Sequence, residues 1–132
     1  MFKHIKDKDE NGMTPLHRAA RDARNAGTIR YMIAIGADVN AEDNMGMTPL
    51  HFAAGCNPNV EVAECLVEHG ADVRAKDDKG FTPLDLSLRF AKSEEVGIYF
   101  LDLMVGSKGV KVTDPVMLAK IKQRFSQNEN DN

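Results

Sequence analysis

Tryptophan is missing from this chain of 132 residues, and aromatic residues make up only 6% of it. Small and medium aliphatic side chains must therefore fill any core. The 42% hydrophobic content is sufficient for one, and the length fits a single domain. Cysteine is scarce. Cys56 and Cys65 are the two present, and neither belongs to a CxxC pair, which argues against a zinc or redox site and fits a reducing compartment. Long apolar runs are absent too. The longest, GIYFLDLMVG at 97–106, is interrupted by Asp102 and falls well short of the ~18 residues that cross a bilayer. The opening MFKHIKDKDENG is charged and lacks the apolar centre of a secretion signal. These features lead to an expected cytoplasmic location, or to export by a route that needs no such signal. No excess of positive charge exists: the formal net charge is −3. Nucleic-acid partners demand a basic stripe, so that class is disfavoured. No glycine-rich phosphate loop is visible, since Gly12, Gly46 and Gly80 belong to separate turns.

What is present is repetition. TPLH at 14–17 recurs at 48–51 and returns as TPLD at 82–85, a period of 34 residues. Each copy has the same grammar. A polar turn closes on Gly12, Gly46 or Gly80, where glycine supplies a positive φ. Thr-Pro then opens a helix, with Thr able to cap free N–H groups and Pro suited to the first helical position. Leu16, Ala19 and Ala20 fall on one face of that helix, as do Leu50, Ala53 and Ala54. The alanines let a second helix approach closely. Ile29, Met32 and Ile33 form the apolar face of that second helix in the first copy, and Val62, Leu66 and Val67 do so in the second. Gly36 and Gly70 stop it. One such unit cannot bury its apolar face alone, whereas about three stacked neighbours can.

The motifs G-M-T-P-L-H-x-A-A and G-A-D-V-N or G-A-D-V-R make the chain resemble the ankyrin-repeat family over about residues 9–106. The resemblance implies an all-α solenoid of stacked antiparallel helix pairs with β-hairpin-like finger turns. The expected repeats cover 9–41, 42–75 and 76–108, within a domain spanning 1–125. The period exceeds the family's usual ~33 residues, with the extra residue placed between the paired helices. The third copy drifts: Asp85 replaces the histidine, Ser87-Leu88 replaces Ala-Ala, and its second helix is expected to be longer. VGIYFLDLMV at 96–105 is apolar on most sides, as suits a helix flanked by neighbours. Arg18 stands where Phe52 and Leu86 stand later, consistent with a first repeat that has no upstream neighbour. TDPVMLAKIKQRF is read as a degenerate half-repeat with a capping helix at 114–125, and 126–132 as a polar, disordered tail.

Chemistry is sparse. His17 and His51 are candidate bases, but one group repeated once per copy is a structural rung, while catalysis needs unlike groups converging on one point. In the family this histidine ties its helix start to neighbouring backbone. His69 precedes a helix-ending glycine, Cys65 sits among apolar neighbours, and Cys56 at a turn has no evident base. The chain is accordingly read as no enzyme, with no cofactor, no metal, no membrane partner and no small-molecule substrate. Asn40 matches a position that asparaginyl hydroxylases modify in some ankyrin repeats; its alternative role is hydrogen bonding in the connector.

Recognition of a protein partner remains. The resemblance implies contact through the finger tips and the concave face of the first helices. Met13, Met47 and Phe81 precede each Thr-Pro, with Met45 beside them, and repeats stacked ~10 Å apart would spread this row over roughly 20 Å. Isolated apolar tip residues are also ordinary. Asn11, Asn44 and Lys79 complete the expected tips. Arg21, Gly55 and Arg89 share the slot after the alanines, where the arginines either grip carboxylates or are simply solvated. No Lys or Arg occurs between Tyr31 and Val73, while residues 1–30 hold seven basic against four acidic. A protein-interaction module is the reading; its alternative is a dedicated inhibitor or immunity-type protein that blocks the active site of an enzyme or toxin.

Overall fold

The computed structural model describes residues 4–90 and 92–106. The expected capping helix at 114–125 and the tail at 126–132 lie outside the described residues. Six helices follow in order: α1 Pro15–Asp22, α2 Ala26–Ala34, α3 Pro49–Cys56, α4 Val60–Glu68, α5 Pro83–Phe90 and α6 Glu94–Gly106. They pair as α1–α2, α3–α4 and α5–α6. In one layer α3 packs between α1 and α5, and in the other α4 packs between α2 and α6.

Local sequence sets each helix start. Thr14 and Thr48 take extended backbone angles and cap α1 and α3, with proline next in the chain and a capping box completed by His17 and His51. Gly36 and Gly70, at φ 108° and 95°, end α2 and α4 as expected. Residues 23–25 and 57–59 form the turns between the paired helices. The longer second helix of the third repeat is α6, with 13 residues against nine for α2 and α4.

The fingers are tight turns, and no strand occurs among the described residues. Their organiser is an aspartate. Asp9 Oδ1 accepts from the N–H groups of Asn11 and Met13, each at 2.9 Å. Asp43 does the same for Met45 and Met47, and Asp77 for Lys79 and Phe81. The Met13 N–H, together with Asn11 N–H and the Arg18 guanidinium, holds the Asp9 carboxyl below its ordinary value. One backbone bond joins successive fingers, Asn44 N–H to Asn11 O at 3.0 Å and Asp78 N–H to Met45 O at 2.9 Å. A single bond per junction is too little for a strand ladder. Gly12 and Gly46 serve here twice over: each has positive φ, and a Cβ on them would collide with Asn44 and Asp78 of the next finger.

Histidine joins finger to helix. His17 Nδ1 accepts from the Thr14 N–H at 3.0 Å, so the ring proton lies on Nε2, which donates to Met47 O of the next finger at 2.8 Å. His51 repeats this with Thr48 and Phe81, at 3.0 and 2.9 Å. Both rings are fully buried, and Phe52 lies edge-on to His17 at 5.7 Å. Asp85 keeps half of the arrangement: its carboxylate accepts from Thr82 N–H and Oγ1–H.

The core is aliphatic, as expected. Leu16, Ala20, Ile29, Leu50, Ala54, Val62 and Leu66 are all fully buried, and Val96 and Phe100 of α6 join the same cluster. Each large aliphatic side chain so buried contributes about 1.5–3 kcal/mol. Arg18, at the front, is exposed and pairs with Asp9 at 3.1 Å. Two further residues tie repeats together. Asn57, buried at 1% exposure, donates Nδ2–H to Ala20 O and Ala23 O, the otherwise open end of α1. Asn40 donates to Gly70 O and accepts from Asp72 N–H, so it bonds across connectors.

Two tests follow from these ties. Asn57→Ala leaves Ala20 O without its side-chain donor and Ala23 O with only the Asn59 Nδ2–H bond at 3.3 Å, and is expected to cost about 1–3 kcal/mol in urea unfolding; an unchanged midpoint would contradict the assigned role. Burial is the main cause that pushes His17 below its ordinary value of 6.5, against the Met47 carbonyl and Asp43, which pull it up. The unfolded chain therefore takes up this proton first. The stability due to neutral His17 is fully present above about pH 6.5 and is lost as pH falls through the lower folded value. His17→Gln should flatten this part of the stability–pH curve, measured as urea midpoints between about pH 7.5 and pH 5.

Candidate functional site

The fingers deliver their tip residues to the starts of α3 and α5, and between those two helices the surface is concave. A groove of about 260 Å³ is lined by Met45, Met47, Gly55, Cys56, Lys79, Phe81, Leu86 and Phe90, with His51 and Asp77 beneath. Met45 and Phe90 are two of the large apolar side chains left exposed, at 51% and 58%. Gly55 makes the concavity. It is buried in α3, and a Cβ built on it would lie 3.5 Å from Leu86 Cβ and 4.0 Å from Phe90 Cβ. The Arg89 guanidinium lies over the Phe81 ring at 4.7 Å, a cation–π contact that fixes both side chains.

The expected site residues distribute unevenly over this geometry. Met45, Met47, Lys79 and Phe81 come together in the groove, and Arg89 joins through Phe81. Met13 does not: it is only 8% exposed, so the row of three apolar tips is reduced to two, and Met13 has little area to offer. Asn11 is exposed, and its carbonyl accepts from Asn44 N–H. The Asn44 side chain is engaged with Glu10 O at 3.0 Å. Both asparagines thus hold the finger stack. Arg21 is clamped by its neighbour Asp22 through two bonds, at 2.9 and 3.0 Å.

Phe90 escaped the sequence reading. Its signal was a mismatch within the repeat: the same slot holds Asp22 in the first copy and Cys56 in the second. An aromatic residue at a surface helix end, where its counterparts are small or charged, is the kind of departure that marks a contact residue. Lys92 was missed as well. It is one of the charges acting on the Cys56 thiol.

Potential catalytic groups are otherwise engaged. Both ring nitrogens of His17 and of His51 are in hydrogen bonds. His69 Nδ1–H donates to Cys65 O at 2.8 Å, at the end of α4. Burial pushes the Cys56 thiol up, against Lys92 and Arg21, which pull it down; a thiol held protonated is a poor nucleophile. Cys65 is buried in the core and its thiol is raised for the same reason. The acidic residues Glu61, Glu64 and Glu68 belong to α4, in the other helix layer. Burial, with help from Glu64 and Glu68, pushes the Tyr99 hydroxyl up to about 12. Among the described residues no helix is long and apolar enough to cross a membrane.

A family model described as ankyrin repeats, in three copies, matches residues 23–113. No curated protein matches the chain.

The groove floor can be tested directly. Gly55→Ala places a methyl group at ordinary contact distance from Leu86 and Phe90 and removes a helical glycine, so it is expected to stabilise by about 0.5–1 kcal/mol. Urea unfolding measures this, and a loss of stability would mean that α3 and α5 lie closer than described.

Proposed function

The chain belongs to the ankyrin-repeat family, and from that premise we propose that it recognises a partner protein through its finger tips and the groove between α3 and α5. Ankyrin repeats are generally protein–protein interaction modules, and the family is typically non-enzymatic. The observation that carries the placement is the convergence of Met45, Met47, Phe81 and Phe90 on one concavity, with two of the four largely exposed. Methionine adapts to irregular surfaces, and methionine and aromatic residues are enriched at interface cores. The stacking ties fix the positions of these side chains before any partner arrives, which lowers the ordering cost of binding. The free thiols of Cys56 and Cys65 support a cytoplasmic setting. Inhibition is the narrower form of the same reading: the bound partner is an enzyme or toxin whose active site the concave face covers.

Affinity capture from the source lysate tests this. The wild-type chain is expected to retain a specific protein in stoichiometric amounts, and Met45→Ser with Phe90→Ser is expected to lose it while keeping the circular dichroism spectrum of the wild type. Equal recovery by both proteins would refute the placement. If the captured partner is an enzyme, adding the chain to its assay separates inhibition from neutral scaffolding.

A further inference from the structure

The third repeat has an open side. We propose that residues 107–125 of the same chain close it, with the apolar stripe of 114–125 along α5 and α6 and Lys111 against Asp85. This cover is independent of where a partner protein binds.

Burial across the repeats marks the surface. Leu16 and Ala20 of α1 and Leu50 and Ala54 of α3 are all 0% exposed, with α3 packed against α1 and α5 against α3. The same slots of α5 hold Leu84 and Leu88, which are only half-buried. Among the described residues no further element packs on this side of α5. Nor is the side built for water. Leu88 stands where Ala20 and Ala54 stand, and Ile98 of α6 stands where Arg30 and Glu64 stand. An end repeat facing solvent should change the other way, as Arg18 does at the front of the stack. A cover is at hand. α6 ends at Gly106, and the chain runs on to Asn132. The seven residues 107–113 reach at most ~25 Å when extended, and packed helices lie ~8–10 Å apart, so 114–125 comes within reach of α5. Leu118, Ile121 and Phe125 fall on one helical face of that stretch. The family match ends at residue 113, so this stretch is outside the matched repeats.

The polarity of the junctions points the same way. At the first junction Asp43, at the base of the second finger, is one of the charges that act on the His17 ring. One period of 34 residues on, the corresponding pair is His51 and Asp77, and one period further it is Asp85 and Lys111. Both members are exchanged in sign. Asp85 uses Oδ2 for the Thr82 N–H and Oγ1–H, and its Oδ1 accepts nothing from a described residue. Arg89, one turn along α5, is turned to the Phe81 ring instead. Lys92, Glu94 and Glu95 stand past the far end of α5, while Asp102 is exposed on α6 and is the rival acceptor. The stretch SKGVKV at 107–112 holds Lys108 and Lys111 and no acid. An ammonium group donates to a carboxylate as the imidazole N–H donates to a carbonyl at the earlier junctions.

Photo-crosslinking of the full-length chain tests the cover. A benzophenone derivative of phenylalanine replaces Phe125, or Ile121 in a second variant. Heavy-isotope-labelled and unlabelled chains are mixed and irradiated, and the linked peptides are mapped by mass spectrometry. Links to α5 or α6 within one chain are expected. Links between chains would mean that a second copy covers the face. Links to the finger tips at Met45 or Phe81, or no link to α5 or α6 from either position, would leave the face uncovered. Each of these results would overturn the proposal. A double-mutant cycle in urea tests the charged pair. Lys111→Glu is expected to lower the unfolding midpoint, more at low salt than at high salt. About half or more of that loss should vanish in an Asp85→Asn background, where the amide oxygen still accepts from Thr82. An equal loss in both backgrounds, or a loss removed by Asp102→Asn instead, would refute the pairing of Lys111 with Asp85.

Discussion

One hydrogen bond organises this molecule: the buried imidazole Nε2–H that crosses from the start of one repeat's first helix to the finger carbonyl of the next. The acceptor, Met47 O or Phe81 O, also receives the N–H of the finger's own aspartate. Both lone pairs of that carbonyl are thus engaged, one within the finger and one between repeats. A buried polar group left unmatched is far costlier than a matched one is favourable. The finger therefore cannot shift without exposing several such groups together. Helix caps, finger shape and repeat spacing are in this way one coupled arrangement, and the aliphatic core behind it supplies the bulk of the stabilisation.

The same coupling explains why so rigid a surface can be built from tight turns. A finger tip joined to its neighbour by one backbone bond would ordinarily be mobile. Here the aspartate at its base fixes two N–H groups and the incoming histidine fixes its carbonyl. Met47 and Phe81 are each the residue bearing that carbonyl, so these groove-lining side chains sit on the best-held atoms of the finger. Position and exposure are settled by different causes. Backbone ties place the side chain, and the missing Cβ of Gly55 opens the space in front of it.

Much of this was legible in the residues. The helix starts, the glycine stops and the aliphatic faces all followed from motifs whose local physics is strong: Thr-Pro caps, positive-φ glycine, a period of 3.6; the histidine's tie to neighbouring backbone followed from the family resemblance. The aspartates at 9, 43 and 77 were equally periodic and could have been read as finger organisers. The groove was legible only in part. Met47 and Phe81 were found because they occupy a repeated slot. Phe90 was not, because its slot is filled by Asp22 and Cys56 elsewhere, and repetition hides what only one copy does. Met13 was placed with its two counterparts by register, yet exposure is not a property of register. The pairing of Arg21 with its own neighbour Asp22 was likewise invisible to a comparison made between repeats rather than within one.

Asp85 has a consequence for how its helix start can be tied to its surroundings. Its carboxylate reproduces the imidazole's grip on the preceding threonine, so α5 begins as α1 and α3 do. A carboxylate, however, only accepts. A fourth finger laid against this helix would bring a carbonyl oxygen to an anionic oxygen, with repulsion where the earlier junctions have attraction. The exchange of a donor for an acceptor thus leaves the third helix start without the rung that ties α1 and α3 to the finger that follows each of them.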